Sequence, residues 1–161
     1  MEILIKSRRE IEKMSKEGFP KRTAIISITD KFDDPVCFES EPSLLLRVAF
    51  DDVDNDVFVD ELGRTPTPDE RIEIEDKYNM LTDEQAHEIA SFYYNNRRRI
   101  STLICQCEHG QSRSAAVAAA ILEFKDRSGV YVFADDRYYP NKVVFRKVLE
   151  GLRDQIPVYE N

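Results

Sequence analysis

The sequence predicts a single α/β domain, built on a mostly parallel central sheet flanked by helices on both faces. Short apolar runs alternate along the chain with segments of helical periodicity, which favours strands joined by crossover helices. The length of 161 residues suits one domain, spanning 1–161. Hydrophobic residues make up 42% of the chain and include 9 Phe and 7 Tyr, enough apolar surface for one core.

The first half of the chain contains three predicted strands and one predicted helix. The apolar run at 2–6 is the first strand, and a capping box at 7–10 begins a helix. The runs 23–28 and 44–50 are the second and third strands, separated by a loop at 29–43. The near-continuous apolar character of 44–50 predicts a strand covered on both faces.

The second half begins with a long acidic connection. Residues 51–80 have no clean period and are interrupted by Thr-Pro-Thr-Pro, so we predict a functional or mobile connection there. A second capping box begins a helix at Thr82, and 101–107 is the fourth strand. An Ala-rich helix over 114–125 follows, and Pro140-Asn141 leads into the last helix.

The negative charge is concentrated in one segment. The net charge is −8, and residues 51–76 contain eleven acids and two bases, so the remaining 135 residues sum to +1. An acidic balance argues against a nucleic-acid or anionic-membrane partner, since both require a cationic surface. No apolar run approaches the roughly 20 residues of a membrane span. Three cysteines cannot pair completely, which favours a cytoplasmic location.

One segment combines a nucleophile with anion-binding groups. It joins the fourth strand to the Ala-rich helix and comprises Cys107-Glu108-His109-Gly110-Gln111-Ser112-Arg113-Ser114. A loop that ends at a helix N-terminus presents free backbone N–H groups to an anion. Arg113 adds a planar fork of donors for two oxygens of a tetrahedral oxyanion, and these surroundings favour the thiolate of Cys107. The segment therefore predicts nucleophilic phosphoryl transfer.

This Cys-x5-Arg-Ser segment, with Gly as its fourth residue, resembles the signature loop of the cysteine-dependent protein tyrosine phosphatase superfamily. The short chain is similar to the compact, dual-specificity-like branch, in particular its small prokaryotic and phage members. The resemblance is specific in the loop and extends from residue 44 to the C-terminus at least. It implies a phosphatase-like fold and a phosphomonoester hydrolase, a protein tyrosine or dual-specificity phosphatase that forms a phosphocysteine intermediate without metal or other cofactor.

The resemblance also implies a role for each residue of the loop. Cys107 is the nucleophile, Arg113 binds the phosphate and stabilises the transition state, and the hydroxyl of Ser114 eases departure of the thiolate. Backbone amides hold the phosphate, and the residues that supply them are Glu108, His109, Gly110, Gln111, Ser112 and Arg113. The substrate is then a phosphorylated protein or a small phosphomonoester.

An aspartic acid after an upstream strand acts as general acid and then base in this superfamily. The third strand runs into several acids here, and aligning its end with the compact branch places Asp52 at the acid. Asp51 is the second candidate and Asp54 the third. Their crowding leaves the choice between them to the tertiary structure.

Gln106 departs from the superfamily, which has His immediately before the nucleophile. Gln carries no charge and favours the thiolate less, so a catalytically weak or inactive phosphate-binding pseudophosphatase is the alternative. A sulfurtransferase or an arsenate-reducing enzyme is a third class, because both use thiolates in oxyanion loops. Arsenate reduction needs a resolving thiol, for which only Cys105 and Cys37 are available.

Overall fold

The computed structural model describes residues 1–158; residues 159–161, which the predicted domain includes, lie outside the described residues. Four strands form one sheet in the order β1-β4-β2-β3, and every neighbouring pair is parallel. Their bounds are β1 (Glu2–Lys6), β2 (Thr23–Thr29), β3 (Leu44–Ala49) and β4 (Thr102–Gln106). The predicted parallel α/β sheet is confirmed.

Seven helices accompany the sheet within the described residues. They are α1 (Arg8–Glu17), α2 (Asp56–Leu62), α3 (Pro68–Lys77), α4 (Asp83–Asn96), α5 (Arg113–Asp126), α6 (Val130–Phe133) and α7 (Lys142–Arg153). The two predicted capping boxes are present at the starts of α1 and α4, and Asn141 caps α7 by accepting from the Val144 amide. Satisfying the free amides of the first turn determines where each of these helices begins.

Helices cover both faces of the sheet, as predicted. Helices α4 and α5 pack on one face, and α7 packs against both of them. The buried strand residues of this face include Ala24, Ile26, Ile28, Leu103 and Cys105. The alternate strand residues Ile25 and Ile104 point to the other face, against Ile11 of α1 and Val36. The period of two along each strand therefore divides the apolar residues between two cores.

Residues 51–80 differ from the prediction, because they contain α2 and α3 rather than an irregular connection. Thr67 forms a capping box with Glu70, and Pro68 is the first residue of α3. Proline at that position begins a helix, since the amide that it lacks would have no partner there. The Thr-Pro pair is thus a helix start and not a break. Helix α6 was also missed.

Strand β3 is covered on both faces only over its first half. Leu44 and Leu46 pack on one core and Leu45 on the other, but Arg47 and Ala49 are exposed. The reason is its place at the edge of the sheet, where only β2 is a neighbour. No helix within residues 1–158 is long and apolar enough to cross a membrane.

Candidate active site

All four strands end at one edge of the sheet because they are parallel. Strand β4 leads into residues 107–113, here called the Cys107 loop, at whose end α5 begins. Strand β2 leads into Asp30, and β3 leads into Phe50 and then Asp52. This edge is where open parallel sheets bind ligands. The topology therefore brings three segments distant in sequence to one place.

The nucleophile candidate is buried at the base of its loop. Cys107 is 2% exposed, and its amide donates to the carbonyl of Lys6 in β1 at 3.3 Å. Its Sγ lies 3.1 Å from the hydroxyl of Ser114, which is fully buried in the first turn of α5. A hydroxyl at this distance can donate to a thiolate. The structure thus brings together the Sγ of Cys107 and the hydroxyl of Ser114.

Several carbonyls of the Cys107 loop accept hydrogen bonds from the protein, whereas its amides after Cys107 are free. The carbonyl of Glu108 accepts from the Arg8 amide at 3.1 Å, and that of Gln111 accepts from the Tyr139 amide at 2.8 Å. The backbone N–H groups of 108–113 donate to no backbone carbonyl within the part of the chain that the structure describes. Free amides at the N-terminus of a 14-residue helix form an anion site.

The fourth residue of the loop must be glycine. Gly110 has φ of 66°, and a Cβ there would lie 2.6 Å from the amide nitrogen of Ser7 and 2.8 Å from the carbonyl carbon of Lys6. The loop is therefore pressed against the junction between β1 and α1. The left-handed backbone disfavours a side chain at this position, and the close approach leaves no space for a Cβ.

Arg113 is held by two groups from the segments that follow β2 and β3. Its Nη1 donates to the carbonyl of Phe50 at 2.7 Å and lies 2.5 Å from Oδ1 of Asp30. The side chain is buried, and its Nε has no hydrogen-bond partner within residues 1–158. A buried donor without an acceptor is rare and costly, so this atom marks a place for an oxyanion.

Asp30 was missed by the sequence reasoning. It is the first residue after β2, and β2 lies beside β4 in the sheet. The only signal in the sequence is an acid at the end of an apolar strand, and the loop after β3 has the same signal. The order of the strands, which the sequence does not reveal, makes Asp30 the partner of Arg113.

Asp52 reaches the Cys107 loop. Its Oδ1 accepts from the hydroxyl of Ser112 at 2.8 Å and from the side-chain amide of Asn141 at 2.9 Å. These two donors, one in the Cys107 loop and one at the start of α7, orient the carboxyl group.

The two neighbouring acids have other partners. Asp51 accepts from the Lys31 amide at 2.9 Å and from the Asn79 side chain at 3.4 Å. Asp54 accepts from the first two amides of α7 at 2.9 and 3.3 Å, and so caps that helix. Of these three acids, only Asp52 contacts the Cys107 loop.

Comparison with known proteins identifies the fold. No protein-family model matches the sequence, and no curated protein does either. The crystal structure of PTPMT1 in complex with PI(5)P is similar, with 12% identity, coverage of 95% of this chain and 91% of that chain, and a TM-score of 0.51. This chain has the fold of the cysteine-based protein tyrosine phosphatases. The phosphatase-like fold that the resemblance implies is confirmed.

Two further crystal structures of the phosphatase superfamily are similar. Human DUSP28 has 17% identity, coverage of 94% of this chain and 92% of that chain, and a TM-score of 0.46. Tk-PTP in the active form has 15% identity, coverage of 97% and 94%, and a TM-score of 0.44.

Gln106 immediately precedes Cys107, and both the oxygen and the nitrogen of its neutral side-chain amide are hydrogen-bonded. It is 1% exposed, accepts from the hydroxyl of Ser27 at 2.6 Å and donates to the carbonyl of Cys107 at 2.9 Å. An amide that supplies both a donor and an acceptor orders the peptide at Cys107 without adding a charge.

Within the described residues, the other two cysteines and the two histidines form no hydrogen bond with the Cys107 thiol, although His109 belongs to the Cys107 loop. Burial raises the pKa of the Cys105 thiol, which is inaccessible in the core, whereas Cys37 is exposed after β2. His109 is exposed and lines an open cleft of about 420 Å³ together with Arg8. His87 lies on the surface of α4. No cluster of three or more His, Cys, Asp or Glu that could hold a metal occurs among residues 1–158.

Proposed function

We propose that this protein is a phosphomonoester hydrolase that forms a phosphocysteine intermediate on Cys107. The observation that carries the proposal is the convergence of three groups on one loop. These are the buried thiol, the free amides of 108–113 and the unpartnered Nε of Arg113. Each alone has a structural explanation, but together they form a nucleophile facing an oxyanion site.

In the first step, Sγ of Cys107 attacks phosphorus and the ester P–O bond breaks. The leaving oxygen takes a proton from Asp52, whose Oδ1 is occupied by Ser112 and Asn141. Oδ2 is the oxygen left to hold that proton. The amides of the Cys107 loop and Arg113 stabilise the charge that develops on the equatorial oxygens of the phosphoryl group. The products are an alcohol and phosphocysteine.

In the second step, water attacks the phosphocysteine while Asp52 takes its proton. The P–S bond breaks, and inorganic phosphate and the Cys107 thiolate are released. The hydroxyl of Ser114, 3.1 Å from Sγ, donates to that thiolate as its charge returns. Ser114 therefore acts on the step in which sulfur is the leaving group.

We propose phosphorylated protein, with phosphotyrosine the best fit, as the substrate. Tyr139 is 73% exposed and its amide is bonded to the Cys107 loop, while Phe32 is 84% exposed two residues after Asp30. Exposed aromatic rings beside an oxyanion site favour an aryl phosphate. The loop has one Arg, no Lys and the acidic Glu108, which disfavours a polyanionic headgroup such as the PI(5)P of the PTPMT1 complex.

The test is hydrolysis of para-nitrophenyl phosphate from about pH 5 to pH 8, with the Asp variants compared under identical conditions. Cys107→Ser should abolish turnover, and Asp52→Asn should reduce kcat by about 100- to 10,000-fold. Asp51→Asn and Asp54→Asn are matched controls, because both acids have partners outside the Cys107 loop. Equal losses for the three Asp variants would contradict the role of Asp52.

A phosphate-binding pseudophosphatase is the second candidate, favoured by the uncharged Gln106. It predicts that the wild-type protein binds inorganic phosphate or vanadate but does not turn over the ester. Thiosulfate and arsenate assays test the remaining thiolate chemistries. Arsenate reduction is disfavoured because Cys105 is buried in the core.

A further inference from the structure

We propose that one exposed face of α3, with the groove beside it, docks a basic peptide segment of the phosphorylated substrate. The inference rests on the proposed function, since it names a feature of the protein substrate away from the phosphorylated residue. Helix α3 belongs to the segment between β3 and α4 that also carries Asp52, the proposed acid. Docking there would bring a substrate to the chain close in sequence to the catalytic groups.

Four exposed residues of α3 lie on one side of the helix, here called the α3 face: Asp69, Ile72, Glu73 and Asp76. Their spacing of three, four and seven residues from Asp69 places them within an arc of about 100°. Ile72 is 65% exposed, and none of the three carboxylates forms an ion pair within residues 1–158. The face therefore combines three uncompensated negative charges with an accessible apolar side chain.

The packed and paired residues of α3 lie outside this face. Ile74, on the opposite side of the helix, is buried in a small apolar cluster. Glu70 pairs with Arg64, and Glu75 pairs with Lys147. Unpaired carboxylates around an exposed apolar residue complement a partner that carries positive charges around an apolar residue of its own. The chemistry of the face thus fits a basic segment that also contains apolar side chains.

Helix α2 repeats the pattern. Asp56, Val59 and Asp60 are exposed at the same spacing of three and four residues, and Val59 is 61% exposed. The two helices adjoin, because Nζ of Lys77 in α3 lies 2.7 Å from a carboxylate oxygen of Glu61 in α2. The acidic and apolar pattern therefore extends over both helices of this segment.

A groove of about 420 Å³ borders the α3 face and has the chemistry to hold a peptide backbone. Its apolar walls are Pro66, Pro68 and Ile72. Glu75 and Arg146 line it as well, and Oε1 of Glu75 and Nη2 of Arg146 are buried without a hydrogen-bond partner within the described residues. A peptide group supplies one donor and one acceptor, which are the partners that these two atoms lack. Acids and bases line the groove in equal number, three of each, so the preference for a basic peptide comes from the α3 face.

A second copy of this chain is the competing occupant, and its basic run is a poorer fit. That run, Arg97-Arg98-Arg99, follows α4 and contains no apolar residue. Arg97 packs over the Tyr94 ring at 3.6 Å, and Arg99 donates to the Asn96 side chain at 3.0 Å. Two of its three side chains are therefore already engaged. A dimer in sedimentation that is lost on neutralising the α3 face would overturn the proposal.

The experiment measures binding of a fluorescent, unphosphorylated peptide, Lys-Leu-Lys-Lys-Leu-Lys, by anisotropy. The triple variant Asp69→Asn/Glu73→Gln/Asp76→Asn should weaken binding about tenfold at about 0.05 M NaCl, because each exposed ion pair contributes about a factor of two. No binding by the wild-type protein overturns the proposal.

A matched triple variant controls for net charge. Glu17→Gln/Glu84→Gln/Glu88→Gln removes three exposed carboxylates from α1 and α4, and none of these forms an ion pair within the part of the chain that the structure describes. It should change the affinity less than twofold. An equal loss in the two triple variants would mean that only the overall charge attracts the peptide, and it overturns the proposal.

Two single variants test the apolar and hydrogen-bonding parts of the surface. Ile72→Ser and Arg146→Met should each weaken binding about threefold to fivefold, and these losses should persist at about 0.5 M NaCl. The effect of neutralising the α3 face should disappear at that concentration, where exposed charges are screened. An unchanged affinity for either single variant overturns the proposal.

Kinetics tests whether the docked peptide belongs to a substrate. For a phosphotyrosine joined to the same six residues by Gly-Ser linkers of about 5 to 20 residues, neutralising the α3 face should raise KM and leave kcat unchanged. Turnover of para-nitrophenyl phosphate should stay at the wild-type rate, because this ester lacks a peptide segment. An unchanged KM at every linker length overturns the proposal.

The outcomes for the two proposals are distinguishable. If the wild-type protein binds the basic peptide but hydrolyses no ester, hydrolase function fails while the binding measurements still decide whether the α3 face docks a basic peptide. If it hydrolyses the ester but does not bind the peptide, only the docking proposal is overturned.

Discussion

Replacing Gly110 by Ala tests how closely the Cys107 loop approaches the junction between β1 and α1. Gly63, at the end of α2, is the matched control, because both glycines have φ of 66°. Alanine at either position bears the same left-handed backbone cost, about 1–2 kcal/mol. Only the surroundings differ: nothing lies within 4 Å of a Cβ at Gly63, whereas backbone atoms lie 2.6 and 2.8 Å from one at Gly110.

The magnitude for Gly110→Ala follows from this crowding. Ordinary Cβ contacts begin at 3.4 Å, so the loop and Ser7 must separate by about 0.8 Å. Backbone atoms cannot rotate aside, and overpacking of this kind costs a further 1–3 kcal/mol or so. At about 3 °C per kcal/mol for a chain of this length, we expect a Tm about 10 °C lower for Gly110→Ala and about 4 °C lower for Gly63→Ala.

The same displacement should reduce activity. A shift of about 1 Å in a catalytic constellation can cost about 100-fold in rate, so Gly110→Ala should lose that much turnover of para-nitrophenyl phosphate while Gly63→Ala keeps the wild-type rate. Thermal unfolding by circular dichroism and a continuous hydrolysis assay measure both quantities. Equal Tm values and equal rates for the two variants would refute the close approach.

Three further changes concern the buried groups. Gln106→Leu leaves the Ser27 hydroxyl without its acceptor, so we expect about 1–3 kcal/mol lower stability by denaturant titration, and a loss below 0.5 kcal/mol would argue against the network. Lys147→Met leaves Glu75 buried without its partner at 2.7 Å and should cost about 3–5 kcal/mol, part of which Glu75→Gln in the same chain should restore. Burial raises the pKa of Cys105, so the unfolded chain ionises first and stability falls as pH rises above about 8.5, by at most about 1.4 kcal/mol per pH unit. Cys105→Ala should flatten that decline, and an unchanged slope would contradict the assignment.

The features found from the sequence are those whose partners lie close together along the chain. The capping boxes at 7–10 and 82–85 involve groups three residues apart. Cys107 and Ser114 are likewise brought within 3.1 Å by one turn of loop and the start of one helix. The start of α3 has the same local signal, because Thr67 and Glu70 form a capping box, but the adjacent prolines favour a break when the sequence is considered alone.

Sequence by itself therefore determined the parallel α/β class, the starts of α1, α4 and α7, and the loop that joins Cys107 to Arg113. Local hydrogen bonds and apolar periodicity specify these features, and neither depends on how the elements assemble. Only the tertiary structure decided which acids contact residues of the Cys107 loop. The order β1-β4-β2-β3 places the end of β2 beside that of β4 and gives Arg113 its partner Asp30. Contacts with Ser112 and Asn141 distinguish Asp52 from the neighbouring aspartates. Chemically identical side chains differ in their partners only because distant segments of the chain pack together.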